Sequence, residues 1–328
     1  MADATTTSET SPWHAGERTA QARAGVAERM AVIGRRNIRS FMPDQHRQLF
    51  TQLPFVLVGS VDGDGWPWAS ALTGAPGFVS SPDPVILEIA ARPVPGDPLE
   101  AALAEDKALA VLGIEMPTRR RNRVNGRVVN VDADGFALVV DQSFGNCPQY
   151  IQRRAYVELH PIEAVHVEPF TGLAASAADL IRRSDTFFVT TAASQTPDAQ
   201  HGVDISHRGG RPGFIGVTAD GALVVPDYLG NRYFQTIGNM LVNPRAGLLF
   251  IDFERGDLLQ LTGTTEIVWD GPEVAAFQGA ERMWRFKPER GQWLHGAWTL
   301  RVDPRDPSPQ ALETGTWDEA QARLQGRR

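Results

Sequence analysis

The spacing of apolar residues along this chain changes near Pro43. Between Arg18 and Phe41 they fall at Val26, Met30, Ile33, Ile38 and Phe41, with Arg and Glu between them. This is close to the three-and-four spacing of an amphipathic helix and predicts one packed against a domain. Beyond Pro43, short β-rich apolar runs alternate with Gly, Pro, Asp and Asn, the texture of antiparallel sheet. "FVLVGSV", "PVILEIA", "ALAVLGIEM" and "GRVVNV" form a first set; "TFFVTTAA", "GALVVPD", "AGLLFIDF", "LLQLTGTTEIVW" and "WTLRV" form a second. The two sets follow the same order.

Sliding the chain along itself makes the repetition explicit. At a shift of 136, Ser70 meets Ser206, Gly74 meets Gly210, and Pro76, Gly77 and Phe78 meet Pro212, Gly213 and Phe214. At a shift of 137, "VLGIEMPTRRRNRVNGRVVNV" lies on "LLFIDFERGDLLQLTGTTEIV" without a gap. A constant order with a near-constant offset is a tandem duplication. The halves run over about 43–169 and 173–302, after a disordered start (1–15) and a helix that complete residues 1–42, and before a C-terminal tail over 303–328. The predicted class is mainly β, of the α+β kind, with two barrels in tandem. The repeated "GAPGFV" and "GRPGFI" read as a turn between barrel strands, since Pro fixes one dihedral and Gly accepts a positive one. Only the second copy brings His207, Arg208 and Arg211, so those charges are expected to be functional.

Composition narrows the field. A chain of 328 residues suits two domains of about 150 residues each. Hydrophobic residues make up 42% and charged ones 22%, and no run reaches the roughly 18 apolar residues of a membrane span. The start has no basic region followed by an apolar one, so a cytoplasmic protein with no membrane partner is expected. Cys147 stands alone, which excludes an internal disulfide, a CxxC pair and a four-cysteine cluster; it reads as buried filler. A net charge of −7 argues against a nucleic-acid surface. The basic run "RRRNR" at 119–123 reads as a solvated hairpin face. No HxH, HExxH, nucleophile elbow, GxGxxG or Walker loop is present, so no metal is expected and a nicotinamide nucleotide could bind only transiently.

The stretch with the clearest chemistry is "PDYLGNRYFQTIGNMLVNPRAGLLFID", 226–252. Gly230 permits close backbone approach, Asn231 and Arg232 offer donors together, and the helix expected over 233–242 would present free N–H groups at its start. This predicts an anion seat. The first half carries Asp97 and Glu100 in the corresponding "ARPVPGDPLEAALAEDKALA", which would repel a phosphate.

"GRPGFIGV", then a strand, then "LGNRY" leading into a helix and "NPRAGLLF" resemble the FMN-binding split β-barrels of the pyridoxamine 5′-phosphate oxidase superfamily. The resemblance spans most of 186–268 and, more faintly, 54–131. "MPTRRRNRVNGRV", "QSFGNCPQYIQRR" and "HRGGRPGFI" are similar to two-barrel members sometimes fused to a ferredoxin-reductase and iron–sulfur module, a partner not expected here. The resemblance implies tandem FMN-binding barrels and a homodimer. It implies flavin redox chemistry on a small-molecule substrate, with NADH or NADPH as a possible donor, or alternatively a non-catalytic flavin- or haem-binding protein. It places Asp204, Ser206, Gly209 and Gly210 beside the flavin ring, with the turn residues Arg211, Pro212 and Gly213. Asn231 and Arg232 would hold the phosphate, with Gln235, Thr236 and Asn239 completing that site. Asn146, Gln149 and Tyr150 would reach in from the neighbouring barrel. His207 would be either a proton donor or a structural hydrogen-bonder, and Arg208 would be the cation at the flavin's polar edge. Tyr233 stands where the oxidase has a lysine, which separates this chain from that enzyme's substrate.

Overall fold

The computed structural model describes residues 11–194 and 202–326. The first half builds a seven-stranded sheet in the order β2-β1-β5-β6-β7-β4-β3. Its strands are β1 (Phe55–Val61), β2 (Pro67–Thr73), β3 (Val79–Ser80), β4 (Ile86–Ile89), β5 (Ala108–Glu115), β6 (Arg120–Val131) and β7 (Phe136–Gly145). After β8 (Arg154–Leu159) and β9 (His166–Thr171), the second half contains β10 (Thr186–Thr191), β11 (Asp204–Gly209), β12 (Gly216–Val217) and β13 (Leu223–Tyr228). It continues with β14 (Arg245–Asp252), β15 (Asp257–Val268) and β16 (Ala280–His295). They pair in the order β11-β10-β14-β15-β16-β13-β12, with β9 added beside β16. Strand for strand this is the order of the first sheet. Registry repeats as well: Val58 pairs with Ser70 and Val111, and Val189 pairs with Ser206 and Leu248, which reproduces the sequence shifts of 136 and 137. Both sheets curl into split barrels.

The continuous apolar runs follow from burial on both faces. Alternate residues of a strand point to opposite sides, so Val56 and Val58 fill the first barrel's interior while Phe55 and Leu57 enter a core shared by the two halves. In the second half Phe187 and Val189 point inward and Phe188 joins the shared core. The halves approach backbone to backbone at Gly247, where a Cβ would overlap the Pro67 carbonyl.

The repeated turn has one structure in both copies. Gly74 and Gly210 lie beneath the rings of Phe78 and Phe214, Gly77 and Gly213 hold φ of 100° and 85°, and Phe78 and Phe214 N–H close the turn on Ala75 and Arg211 carbonyls at 2.9 Å. Arg211, expected among the cofactor-binding residues, is instead engaged by the C-terminal segment. Its guanidinium bonds Thr314 O at 3.0 Å and pairs with Glu319 at 2.9 Å, docking the C-terminal segment.

Several boundaries differ from expectation. The N-terminal helix is two: α1 (Ala15–Arg23) and α2 (Ala27–Asn37), parted at Gly25 with φ of 68°. The expected disordered start lies outside the described residues over 1–10. From residue 11 the chain is placed, because Trp13 is buried and His14 forms a capping box with Glu17. The helices α3 (Asp44–Gln52) and α5 (Ala175–Arg183) precede β1 and β10 as a matching pair, and α4 (Leu99–Ala102) and α6 (Gln235–Val242) form a second pair of unequal length. Strand β9 crosses the expected boundary at 169, and β17 (Leu300–Pro304) returns to pair with β8 of the first half. The tail is folded. Beyond the short helix α7 (Pro272–Ala276) and β16, it forms α8 (Pro309–Leu312) and α9 (Trp317–Gln325). The second of these starts on a Thr316–Glu319 capping box and anchors through Trp317 Nε1 to Val224 O at 3.1 Å.

Candidate functional site

A cleft of about 860 Å³, its mouth included, opens at the junction of the halves. Its walls are β11, the end of β13 with 230–232, the start of α6 and β16 from the second half, and β6 with the loop 146–150 from the first. Strand β11 is the sheet's edge, so one side of its backbone is unpaired within the sheet. Of the five non-glycine residues with positive φ among those described, Tyr150, Arg232 and Phe234 line this cleft. Backbone held in sparsely populated regions concentrates at functional sites, where surrounding structure enforces it.

That enforcement comes partly from the N-terminal helix. α1 crosses α6 so closely that a Cβ on Gly16 would overlap Gly238 O. Gln21 Nε2 donates to Tyr233 O at 3.1 Å, and His14 Nε2 meets Asn239 Oδ1 at 2.7 Å. Tyr233 is buried against Trp13, with ring centroids 5.1 Å apart. No side chain caps α6, and its first-turn residues Gln235, Thr236 and Ile237 line the cleft, leaving N–H groups and the positive end of the helix dipole there.

The charge distribution is lopsided. Five arginines, Arg121, Arg123, Arg208, Arg232 and Arg282, line the cleft with only Asp227 and Glu281 as acids. Arg232 pairs with Glu281 at 2.5 Å, Arg208 with Asp227 at 3.1 Å, and Arg282 with both acids. Arg123 is 2% exposed and is held by Asp204, by Gln235 Oε1 at 2.7 Å and by Ser206 Oγ at 2.9 Å. Thr236 Oγ1 donates onward to Ser206 Oγ at 3.0 Å. Counting Asp204, five guanidiniums face three carboxylates. Arg121 is the cation without an acid. Its Nε donates to Cys147 O at 2.7 Å, and its remaining N–H groups have no partner among the described residues. Burial, then the neighbouring Arg123, pushes its pKa down to about 9.

The cleft thus brings together eleven of the expected site residues: Asn146, Gln149, Tyr150, Ser206, His207, Arg208, Gly209, Asn231, Arg232, Gln235 and Thr236. The others are elsewhere. Asp204 is buried behind the wall as the partner of Arg123, and Asn239 is turned toward His14, Thr191 and Gly202. Gly210, Arg211, Pro212 and Gly213 form the turn beyond the cleft. Of the two roles expected for His207, its surroundings favour hydrogen bonding. Burial, with Arg121, Arg154 and Arg208 nearby, holds its pKa well below the usual value and disfavours the charged imidazolium. Its Nε2 has no partner among the described residues.

Arg121 and Arg123 were missed because "RRRNR" reads as a solvated hairpin. The 137-residue shift carries the missing signal: it places them on Leu258 and Gln260 inside "LLQL", an apolar setting. Cys147, expected as filler, is half-buried and lines the cleft. No group of His, Cys, Asp and Glu able to hold a metal occurs among the described residues, and no described helix is long and apolar enough to cross a membrane.

Residues 173–308 match the family model for pyridoxamine 5′-phosphate oxidase. A search of curated proteins returned no match. Among solved structures, HupZ of Group A Streptococcus is 20% identical over 36% of this chain and 90% of its own, with a TM-score of 0.28. A Clostridium acetobutylicum protein related to general stress protein 26, of the pyridoxinephosphate oxidase family, is 15% identical over 39% of this chain and 92% of its own, also at 0.28. The Bacillus subtilis inhibitor of motility is 12% identical over 84% of this chain and 98% of its own, at 0.23. The second half of this chain thus matches the pyridoxamine 5′-phosphate oxidase family model over residues 173–308 and forms one of two curled, split-barrel sheets with a shared strand order.

Proposed function

We propose that the cleft binds one FMN and that the protein is an FMN-dependent oxidoreductase acting on a small molecule. The observation that carries this reading is the uncompensated charge: two more guanidiniums than carboxylates, with Arg121 unpaired, beside the open N-terminus of α6. A phosphate dianion balances that excess, and guanidinium with helix N–H is the chemistry that holds one. The rest of the cleft suits a flat, polar-edged ring. Tyr150 and Tyr228 stand 5.0 Å apart at 31° and give an aromatic wall. Asn146 Oδ1, His207 Nε2 and Arg208 Nε are buried and unpartnered among the described residues, and buried polar groups normally find partners.

The residues divide the work differently from the sequence expectation. Arg121 and the start of α6 supply the main phosphate contacts, since Arg232 already has Glu281. Arg208 keeps a cation at the ring's edge, and His207 offers a hydrogen bond rather than a proton. FMN, once bound, supplies the electron transfer; the protein provides seating and electrostatics. The alternative of a haem carrier finds one supporting feature, the unpartnered Nε2 of a His207 whose charged form is disfavoured, but five lining arginines suit a phosphate far better than a porphyrin face. The test is the absorption spectrum of the purified protein, followed by titration with FMN and reduction by NADH or NADPH. Flavin bands or stoichiometric FMN binding support the reading. A Soret band, or an FMN titration without binding, overturns it.

A further inference from the structure

The loop 146–150 belongs to the first half yet lines a cleft built mainly by the second, and its far end is held by the last part of the chain. Tyr150 N–H donates to Ser308 Oγ at 3.2 Å. Ser308 N–H donates to Gln152 Oε1 at 2.8 Å, and Gln152 Nε2 donates to Gly210 O at 2.8 Å. Three bonds therefore join the cleft loop, the C-terminal segment and the repeated turn. Ser308 is fully buried and Gln152 is 6% exposed, so water does not substitute readily for either. A second set runs parallel. Arg119 donates to Ile151 O at 2.9 Å and to Asp306 O and Pro307 O at 3.1 Å each, while the backbones of Arg153 and Arg305 bond at 2.9 Å. Arg119 immediately precedes β6, the strand that carries Arg121.

We propose that Ser308 and Gln152 are positioning residues for the cleft, and that residues 305–308 are a strap fixing the loop 146–150 over it. Neither residue lines the cleft; both act through Tyr150. Tyr150 keeps a φ of 65° and donates from its hydroxyl to Leu229 O at 3.1 Å, so its backbone is held from one side and its ring from the other. The strap also accounts for an asymmetry of the duplication. After the second copy the chain turns back to clasp the junction, whereas after the first copy it continues into β9 and α5 of the next half.

The consequence for ligand affinity rests on the FMN reading; the positioning itself does not. The test uses the full chain with Ser308→Ala and, separately, Gln152→Ala. Amide hydrogen exchange at Tyr150 is followed in the cofactor-free protein, and FMN affinity and melting temperature are measured alongside. The expected result is a protected Tyr150 amide in the parent that exchanges about tenfold faster in Ser308→Ala, the effect of losing one bond's worth of local protection. The FMN Kd should rise roughly five- to tenfold in both variants, beside a lowered melting temperature, since each truncation leaves buried partners unpaired and Ser308 Oγ also caps α8 at Ala311 N–H. Unaltered exchange at Tyr150, or a lowered melting temperature with unaltered Kd, overturns the strap. Should Ser308→Ala fail to fold, Gln152→Ala carries the same comparison. If the parent binds no FMN, the flavin reading falls and exchange at Tyr150 alone decides the positioning.

Discussion

Arg123 and Gln260 occupy the same position of the two repeats, and each reaches across to the matching serine of the other half. Arg123 pairs with Leu112 on its neighbouring strand and Gln260 with Leu249 on its own, as the 137-residue shift requires. Arg123 bonds Ser206 Oγ at 2.9 Å, and Gln260 Nε2 bonds Ser70 Oγ at 3.3 Å. The pseudo-twofold relation then breaks in its chemistry. Around Ser206 lie the Arg123 guanidinium, its paired carboxylate Asp204, to which Ser206 Oγ donates at 3.1 Å, and the start of a two-turn helix. Around Ser70 lies the buried carboxylate of Asp97, which accepts from Ser70 at 2.5 Å, Gln260 at 3.1 Å and Leu99 N–H at 2.9 Å. Only neutral donors face it, and burial pushes its pKa up to about 6. One junction carries excess positive charge; the other is closed by an acid.

The first prediction is one FMN per chain. An anion placed at the Ser70 junction would meet Asp97, and like charges at close range in a buried setting are strongly unfavourable. Calorimetric titration should give a single equivalent. Two equivalents of comparable affinity would show that Asp97 does not close the second junction.

The second prediction ranks the arginines. Arg121→Ala should weaken FMN binding by about 1.5–3 kcal/mol, the range for a charged hydrogen bond lost without replacement. Arg232→Ala should cost less, because Glu281 already neutralises Arg232. Both variants should fold, since Arg121 makes one bond to a backbone carbonyl. Fluorescence titrations decide the order, and a larger loss for Arg232→Ala would return the phosphate to the seat read from the sequence.

The third prediction concerns Glu17, whose pKa is pushed up to about 8 from its ordinary 4.5, chiefly by burial, with nearby Asp204 acting in the same direction. Over that interval the unfolded chain releases a proton that the folded chain keeps. The group's contribution to stability is full below its unfolded pKa and is lost as pH rises through the folded value. Asp97 acts in the same sense over a lower window, from 3.8 to about 6. Glu17→Gln cannot ionise, so its melting temperature relative to the parent should climb between about pH 5 and pH 8, by roughly 2–4 °C for each kcal/mol recovered. A difference that stays flat across that range would mean the Glu17 carboxyl titrates normally.

Much of the fold was legible because duplication doubles every signal: two offsets located the strands, and the pairing of Val58 and Val189 repeats them. The cleft was only half legible. "LGNR" pointed to the right corner, but a guanidinium's partner is set by tertiary contacts, and Glu281, which neutralises Arg232, lies 49 residues away in sequence. Arg121 and Arg123 enter from the other half, where local pattern says nothing of what they face. Arg211 read as chemistry because its partner, Glu319, belongs to a tail whose docking no repeat announced.

The last prediction separates architecture from function within the turn itself. Gly74 and Gly210 both lie under a phenylalanine ring, so Gly74→Ala and Gly210→Ala should each destabilise the protein by about 1–3 kcal/mol through overpacking. Gly209 is different. A Cβ there would overlap the carbonyl oxygen of Tyr150, backbone of the loop that crosses from the first half. At the 136-residue shift Gly209 falls on Thr73, where the first repeat carries a full side chain. The glycine is therefore required by the crossing loop and not by the turn. Gly209→Ala should push the loop off β11 and remove Asn146 and Tyr150 from the cleft. Its FMN affinity should fall well below that of Gly210→Ala when the two are compared at matched loss of melting temperature. Equal affinities for the two variants would show that the loop takes no part in binding.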